Sequence, residues 1–334
     1  MTRMRCAAAT TMLVTIAAGT PVVAQEKVVS LYVGYTAGGG YDVYGRIVAR
    51  YMGAHLPGNP TIVVQNMPGA GSVRLANWLY SVAPKDGTAF GIVARGVAFD
   101  TLLGLPGASY DATKFNWIGS ANNEVSVCVA WHTSGITSFE QTKEKEMIVG
   151  GTGGSADTDQ FPKVFNGVLG TKYKMVVGYP GGNDINLAME RGEVQGRCGW
   201  SWSSVKSTQP EWLRSKKINV LVQLSLEKHP DLPDVPLIMD LAQTPLQKGV
   251  FQLVFARQVL GRPFLAPPGM PADRVANLRK AFADTMQDKE LLAEAERAKL
   301  EITPVSGEAL QKVVADAYAM PPEIIKKTAE LLKD

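Results

Sequence analysis

The chain has 334 residues, of which 46% are hydrophobic, and its 34 basic residues nearly balance its 31 acidic ones. This length is sufficient for two domains, since a domain usually contains about 100–150 residues. The ordinary composition argues against disorder. The small net charge of +3 argues against a surface that binds nucleic acid or anionic membranes.

The N-terminal residues have the arrangement of a secretory signal peptide. Arg3 and Arg5 form a positive start, residues 7–18 carry no charge, and small residues lead up to Ala24. The apolar run is shorter than the roughly 20 residues that span a bilayer. The sequence therefore predicts that residues 1–24 are removed on export to the periplasm; the alternative is a buried N-terminal helix.

Strands and helices alternate along the first third of the remaining chain. The predicted strands there are 28–33, 62–64 and 89–93, and the predicted helices begin near residue 42 and at residue 72. The first helix is indicated by apolar residues that recur at intervals of three and four from Tyr44 to Met52. Alternating strands and helices predict a largely parallel sheet.

The alternation continues in the middle of the chain and gives way to helices near the end. The middle strands are predicted at 125–131, 147–149, 174–177, 193–198 and 218–224, with helices at 157–168 and ending at 191. A proline-rich connection is predicted at 226–247, and β-structure within 251–265. The C-terminal helices are predicted at 272–287, 289–299, 307–318 and 322–333.

Glycine-rich turns precede three of the predicted helices. We name them the first glycine turn (residues 37–42), the second (151–156) and the third (179–184). The first N–H groups of a helix have no partner within it and carry partial positive charge, and glycine lets a ligand approach the backbone closely. If the first two turns face each other across a cleft, their N–H groups can hold a carboxylate.

Nucleotide, metal and catalytic motifs fit poorly. Residues 40–47 have the glycine spacing of a P-loop but lack its Lys and Ser/Thr, and Val43 stands where a dinucleotide fingerprint requires glycine. His55, His132 and His229 are scattered without metal-ligand spacing. The sequence therefore predicts no cofactor, no metal site and no catalytic residues.

Two cysteines, Cys128 and Cys198, remain after the predicted processing, 70 residues apart. In an oxidising compartment they can form a disulfide. The alternative is a pair of separately buried thiols, and the spacing does not decide between the two.

The glycine turns and several other segments resemble the tripartite tricarboxylate transporter receptor family, the TctC or Bug-type periplasmic solute-binding proteins. The similar segments cover nearly the whole mature chain: Tyr35–Arg50, Ile62–Ser72, Pro84–Val93, Tyr110–Gly119, Val149–Ser155, Gly178–Glu193, Asp234–Pro236 and Ala266–Val275. Together these segments are specific to the family, whereas no single segment is.

The resemblance implies an α/β protein with the two-domain periplasmic-binding-protein (Venus flytrap) fold and two crossing strands. It implies one domain of residues 26–125 plus 246–334 and a second of residues 126–245. The ligand carboxylate would be held between the domains by backbone N–H groups, hydroxyls and ordered water. The implied ligand-binding residues are Ala37, Gly38, Gly39, Gly40, Tyr41, Asp42, Thr152, Gly153, Gly154, Ser155, Ala156, Gly181, Gly182, Asn183 and Asp184.

Three positions depart from the family pattern. Tyr41 stands where the family usually has Ser or Thr, and Thr36 where it often has proline. Residues 157–159 stand where many members have a histidine. These departures leave the identity of the ligand open.

The resulting hypothesis is a monomeric binding protein that delivers a small organic acid to the membrane subunits of a tripartite tricarboxylate transporter. An exported α/β enzyme acting on a carboxylated or phosphorylated metabolite is the alternative, and a ligand sensor that docks on a membrane receptor is a third possibility. Turnover of the ligand would distinguish the enzyme from the other two.

The signal-peptide hypothesis predicts a mature chain that begins after Ala24. Mass spectrometry of periplasmic material should find this shortened chain, because the charged start, apolar core and small residues match what signal peptidase cleaves. Recovery of the protein from the cytoplasm with Met1 still attached would contradict the prediction.

Overall fold

The computed structural model describes residues 28–333, so the predicted signal peptide and its cleavage site lie outside the described residues. The strands are β1 (Val28–Val33), β2 (Thr61–Asn66), β3 (Ala89–Ile92), β4 (Asn116–Ser120), β5 (Ser126–Trp131), β6 (Met147–Gly150), β7 (Tyr173–Val176), β8 (Gly196–Ser201), β9 (Ile218–Leu224), β10 (Pro263–Ala266) and β11 (Val305–Ser306). The α-helices are α1 (Gly40–Met52), α2 (Val73–Ser81), α3 (Gln141–Glu144), α4 (Asp157–Leu169), α5 (Gly182–Glu190), α6 (Trp202–Thr208), α7 (Pro210–Arg214), α8 (Pro245–Ala256), α9 (Ala272–Thr285), α10 (Lys289–Arg297), α11 (Gly307–Tyr318) and α12 (Pro322–Leu332).

The strands form two separate mixed sheets. The first sheet has the order β11-β4-β10-β3-β1-β2 and the second the order β7-β6-β8-β5-β9. In the first, β1 pairs in parallel with β2 and β3, and β10 runs antiparallel to both β3 and β4. In the second, β6 pairs in parallel with β7 and β8, and β5 runs antiparallel to β8 and β9. The prediction of a largely parallel arrangement is therefore wrong for about half of each sheet.

Most predicted elements are confirmed within a few residues, including β1, β9 and the four C-terminal helices. The predicted β-structure at 251–265 is wrong, because this segment begins inside α8 and only Pro263–Ala266 is a strand. Thr244 and Gln247 form a reciprocal capping box at the start of α8, and Pro245 occupies its first turn. These local signals outweigh the β-propensity of the buried Val and Phe residues that follow.

The two sheets are connected by segments that run side by side. The N–H of Glu124 donates to the carbonyl of Gln258 over 3.0 Å, and the N–H of Ala121 to the carbonyl of Arg262 over 3.4 Å. The first segment leads from β4 of the first sheet into β5 of the second. The predicted domain boundary near residue 246 lies at the start of α8 and stays a prediction.

Buried polar contacts hold the two sheets against each other. The Arg95 guanidinium lies 2.7 Å from the Asp157 carboxylate, and both side chains are buried. The Ser155 hydroxyl donates to the buried Asp100 carboxylate over 2.6 Å. The backbone N–H of Gly71 also donates to the carbonyl of Thr152 over 3.0 Å. Together these contacts fix the spacing of the cleft between the sheets.

Cys128 of β5 and Cys198 of β8 are joined by a disulfide across neighbouring strands of the second sheet. Both residues are fully buried. The sequence leaves open whether the two cysteines are bridged or separately buried, and in the structure they are bridged. Among residues 28–333 no helix combines the length and apolar character needed to cross a membrane.

The disulfide predicts that the mature protein, unfolded without reductant, contains no free thiol and gains two on reduction. The matched variant with both Cys128→Ser and Cys198→Ser should lose about 2–5 kcal/mol of unfolding free energy, because a cross-link restricts the unfolded chain. Thiol titration and denaturant unfolding measure the two effects. Two thiols before reduction would contradict the bridge.

Asp100 predicts a specific dependence of stability on pH. Burial raises the pKa of Asp100 to about 6, although the hydroxyls of Ser155 and Tyr110 that donate to it oppose the shift. Because this folded-state pKa lies above the unfolded value of about 4, the stability that Asp100 contributes is full below pH 4. It is lost as the pH rises to about 6. Asp100→Asn should therefore become more stable relative to the natural protein as the pH rises, by roughly 2 kcal/mol between pH 4 and 7.

Urea unfolding at several pH values measures this difference. The control is Glu323→Gln, which removes an exposed carboxylate in the first turn of α12. A stability difference between Asp100→Asn and the natural protein that stays constant from pH 4 to 7 would contradict the assignment.

Candidate functional site

A cavity of about 60 Å³ lies in the cleft between the two sheets. Its wall contains backbone from all three glycine turns together with aromatic, hydroxyl and charged side chains. The lining residues are Tyr35, Gly39, Gly40, Tyr41, Ala94, Arg95, Thr152, Ala156, Asp157, Thr158, Gly182, Asn183, Arg197, Gly199, Trp200, Ser201, Ser204, Thr208 and Arg262.

Helix N-termini point into this cavity from both sides. Gly39 is the N-cap of α1, Ala156 that of α4, and Gly181 that of α5. None of these N-cap residues has a side chain that accepts from the first turn of its helix, so the first N–H groups keep their partial positive charge. A small anion in the cavity is therefore favoured electrostatically.

Seven of the fifteen sequence-predicted residues line the cavity, and eight lie beside it. The lining residues are Gly39, Gly40, Tyr41, Thr152, Ala156, Gly182 and Asn183, and the others are Ala37, Gly38, Asp42, Gly153, Gly154, Ser155, Gly181 and Asp184. The glycine turns are thus brought together at one site. The resemblance placed whole turns at the ligand, whereas the structure separates the residues that face the cavity from those that shape the turns.

Three polar residues outside the cavity wall position the turns. Asp42 accepts hydrogen bonds from the N–H of Gly38 over 2.8 Å and from Arg46 over 2.8 Å. Asp184 of the third turn accepts over 3.1 Å from the hydroxyl of Thr36, the residue just before the first turn. Ser155, which the resemblance assigns to the ligand, instead donates to Asp100.

Close approach across the cleft requires glycine at particular positions. A Cβ atom on Gly40 would lie 1.9 Å from the Ser204 hydroxyl oxygen, and one on Gly153 would lie 2.5 Å from the carbonyl carbon of Ala70. Gly153 also has a φ of +127°, which a residue with a side chain rarely adopts. Gly39 has a φ of −79°, and its Cβ would make only an ordinary contact, 3.8 Å from the Thr36 carbonyl oxygen. Neither the backbone nor the space therefore requires glycine at this position.

Three buried arginines line the cavity, and the sequence-predicted site residues include none of them. Arg95 faces Asp157 at 2.7 Å and also donates to Gln258 and Ser201. Burial lowers the pKa of Arg95, but the Asp157 carboxylate offsets this effect and leaves it above the ordinary value. Arg262 lies 3.4 Å from the buried Glu124. Both guanidinium groups therefore have a carboxylate of the chain beside them.

Arg197, near the start of β8, differs from these two. Its Nη1 donates to the carbonyl of Gly182 over 2.8 Å and to the side-chain oxygen of Asn186 over 2.9 Å, and its guanidinium lies 4.6 Å from the centre of the Trp200 ring. Burial lowers the pKa of Arg197 to about 9, so it stays charged at neutral pH. The sequence signal is a lone arginine within a strand whose other residues are apolar or small, since arginine is rarely buried without a partner.

Aromatic rings form the other part of the wall. Tyr35 and Tyr41 stack with their ring centres 4.8 Å apart, and the Arg262 guanidinium lies 4.6 Å from the centre of the Tyr41 ring. Trp200 lines the cavity, whereas Trp202, two residues on, donates from its indole to Asp231. The cavity therefore joins a cationic end to an apolar face, an arrangement suited to an organic anion.

A second polar cluster lies outside the cavity. His229, Asp231 and Glu301 place their ligand atoms within 4.8 Å of one another. Lys206 forms ion pairs with Asp231 and Glu301. Its ammonium group thus supplies the positive charge that these carboxylates require, and the cluster is an ion-pair network.

No protein-family model matches the chain, and no curated protein sequence matches it. Solved structures do match over nearly its whole length. The periplasmic binding protein BugD is 20% identical, with a TM-score of 0.71, and the match covers 91% of this chain and 96% of that one. MatC from Rhodopseudomonas palustris, solved with bound malate, is 18% identical with a TM-score of 0.72, covering 94% and 100% of the two chains.

A further protein from R. palustris, solved with adipate, is 19% identical with a TM-score of 0.69, covering 90% of this chain and 97% of that one. At this level of identity the likeness concerns the fold. The two mixed sheets, the cleft between them and these matches agree with one another, and the chain therefore has the two-domain fold of the periplasmic binding proteins.

Proposed function

We propose that this protein is an extracytoplasmic solute-binding protein of the TctC or Bug type that captures a small organic carboxylate in the cleft between its two sheets. The observation that carries the proposal is the convergence of three helix N-termini and the buried Arg197 on one small cavity. All of these groups favour a negative charge at the same place.

The comparisons support the same class of ligand. MatC holds malate and the second R. palustris protein holds adipate, and both compounds are carboxylates. Both proteins share the fold of this chain, which supports an organic acid as the ligand of the corresponding cleft. The exported-enzyme alternative predicts turnover, whereas a binding protein returns its ligand unchanged.

The proposed transport role adds a membrane partner and a domain movement. The two lobes, residues 26–125 with 246–334 and residues 126–245, would close on the acid as rigid bodies. The closed monomer would then dock in the periplasm on the membrane subunits of a tripartite tricarboxylate transporter. Direct polar contacts between the sheets, such as Ser155 with Asp100, are the contacts that opening would break.

Thermal unfolding against a panel of carboxylates tests the proposal. A ligand present at 100 times its dissociation constant adds about 2.7 kcal/mol of stability, which raises the unfolding temperature measurably. Chromatography of the recovered ligand then tests for turnover. A panel in which no carboxylate stabilises the protein, or in which the bound acid is chemically converted, would contradict the proposal.

Gly153→Ala tests whether closure depends on backbone contact across the cleft. The added methyl group would meet Ala70 at 2.5 Å, so the lobes should be unable to close and the affinity for a carboxylate should fall at least tenfold. The matched control is Gly135→Ala. Gly135 also has a positive φ, of +74°, but its Cβ would meet nothing within 4 Å.

Both substitutions place a side chain at positive φ, and the strain is larger at Gly153, whose φ of +127° lies farther from the left-handed region than the +74° of Gly135. Only Gly153→Ala should weaken binding measured by isothermal titration, and only Gly153→Ala should remove ligand-dependent compaction measured by small-angle scattering. Equal binding by both variants would show that this contact is not needed for closure.

A further inference from the structure

We infer that Arg197 is the residue that recognises the ligand's charge and that the site selects a short acid with a single carboxylate. This inference rests on the proposed function and goes beyond it, because it names the anchoring side chain and the charge of the ligand. It also differs from the expectation that backbone N–H groups, hydroxyls and water alone hold the carboxylate.

The charges around the cavity do not balance within the chain. The charged side chains that line it are Arg95, Asp157, Arg197 and Arg262. Asp157 pairs with Arg95 and also lies 3.6 Å from the buried Arg257, which Asp100 stabilises in turn. Glu124, behind the wall, pairs with Arg262. Among residues 28–333 no carboxylate forms an ion pair with Arg197, so the cavity keeps one positive charge.

The other buried carboxylates nearby have their own partners. Asp159 accepts from the N–H of Gly153 over 2.9 Å and from the Thr158 hydroxyl over 3.0 Å, and Lys163 lies near enough to stabilise its charge. Asp100 accepts from Ser155 and Tyr110 and is stabilised by Arg257. Neither of these carboxylates supplies a counter-charge to Arg197.

A buried charge without a counter-charge is costly, because the protein interior replaces water poorly. Arg197 is 6% exposed, and its only acceptors among the described residues are the carbonyl of Gly182 and the side chain of Asn186. Both use Nη1, while its Nε is buried without an acceptor. An anion in the cavity would supply the missing charge.

The one accessible guanidinium nitrogen favours a carboxylate as that anion. A guanidinium N–H donates a short, charge-assisted hydrogen bond to a carboxylate oxygen. Nε of Arg197 is closed off from the cavity and Nη1 already has two acceptors, so Nη2, which donates to no described residue, is the nitrogen that would bind the ligand. The Trp200 ring, 4.6 Å from the guanidinium carbon, holds the plane of this group in place.

The size and charge of the cavity limit the rest of the ligand. About 60 Å³ has room for only a few water molecules, so the chain attached to the carboxylate must be short. Among the arginines of the wall only Arg197 has no carboxylate of the chain beside it, so a second carboxylate would meet helix N-termini but no unpaired arginine. Malate and adipate, bound by the similar proteins, carry two carboxylates.

Isothermal titration with matched acids tests this inference. Butyrate and propionate are compared with the dicarboxylates succinate and glutarate, and butyramide serves as the neutral analogue of butyrate. We expect a monocarboxylate to bind at least tenfold more tightly than the dicarboxylate of similar length and the amide to bind at least 100-fold more weakly. The amide comparison uses the unaltered protein and therefore does not depend on the folding of a variant.

Three variants test the role of Arg197. Arg197→Gln should lower butyrate affinity about 100-fold, in line with the loss of a buried charged pair. Arg197→Lys should lower it less, because it keeps the charge and loses the planar contact with Trp200. The control Arg191→Gln removes an exposed arginine after α5, whose side chain is 62% exposed, and should bind normally. Circular dichroism confirms that each variant is folded.

The outcomes separate this inference from the proposed function. Tighter binding of succinate or glutarate than of the monocarboxylates, or unchanged affinity in folded Arg197→Gln, would overturn the inference and leave a carboxylate-binding protein. Absence of binding for every acid, mono- and dicarboxylate alike, would instead remove the proposed function and the inference with it.

Discussion

The buried ion pair between Arg95 and Asp157 is the interaction on which the site depends. Arg95 follows β3 of the first sheet, and Asp157 begins α4 beside the second. Both side chains are more than nine-tenths buried, so separating them without water would leave the Arg95 charge uncompensated. The pair therefore fixes where the first and second glycine turns meet, and the cavity is formed by that meeting.

Close backbone contact is the second constraint. The sheets approach so closely that a single methyl group at Gly153 or Gly40 would collide with the opposite side. Because the backbone contact excludes larger side chains, the glycine turns determine the width of the cleft. They also place the N-termini of three helices at the cavity. The same residues therefore determine both the width of the cleft and its positive potential.

Charge balance gives the cleft its chemistry. Two of its arginines are neutralised by the protein, whereas Arg197 is not. A carboxylate ligand that pairs with Arg197 gains a charge partner and also compensates a buried charge that is otherwise unfavourable. Affinity and selectivity would then depend on one guanidinium held against Trp200, with the helix N-termini orienting the carboxylate.

The sequence by itself determined the alternation of strands and helices, the three glycine turns and the family pattern, because each depends on the spacing of nearby residues. It did not reveal that 251–265 begins within a helix, since the apolar residues there are buried on all sides and a core helix lacks a polar stripe. Only the tertiary structure decided the bridging of Cys128 and Cys198 and the isolation of Arg197 from every described carboxylate. Both facts depend on which distant segments fold against each other, and the spacing of residues along the chain does not predict those contacts.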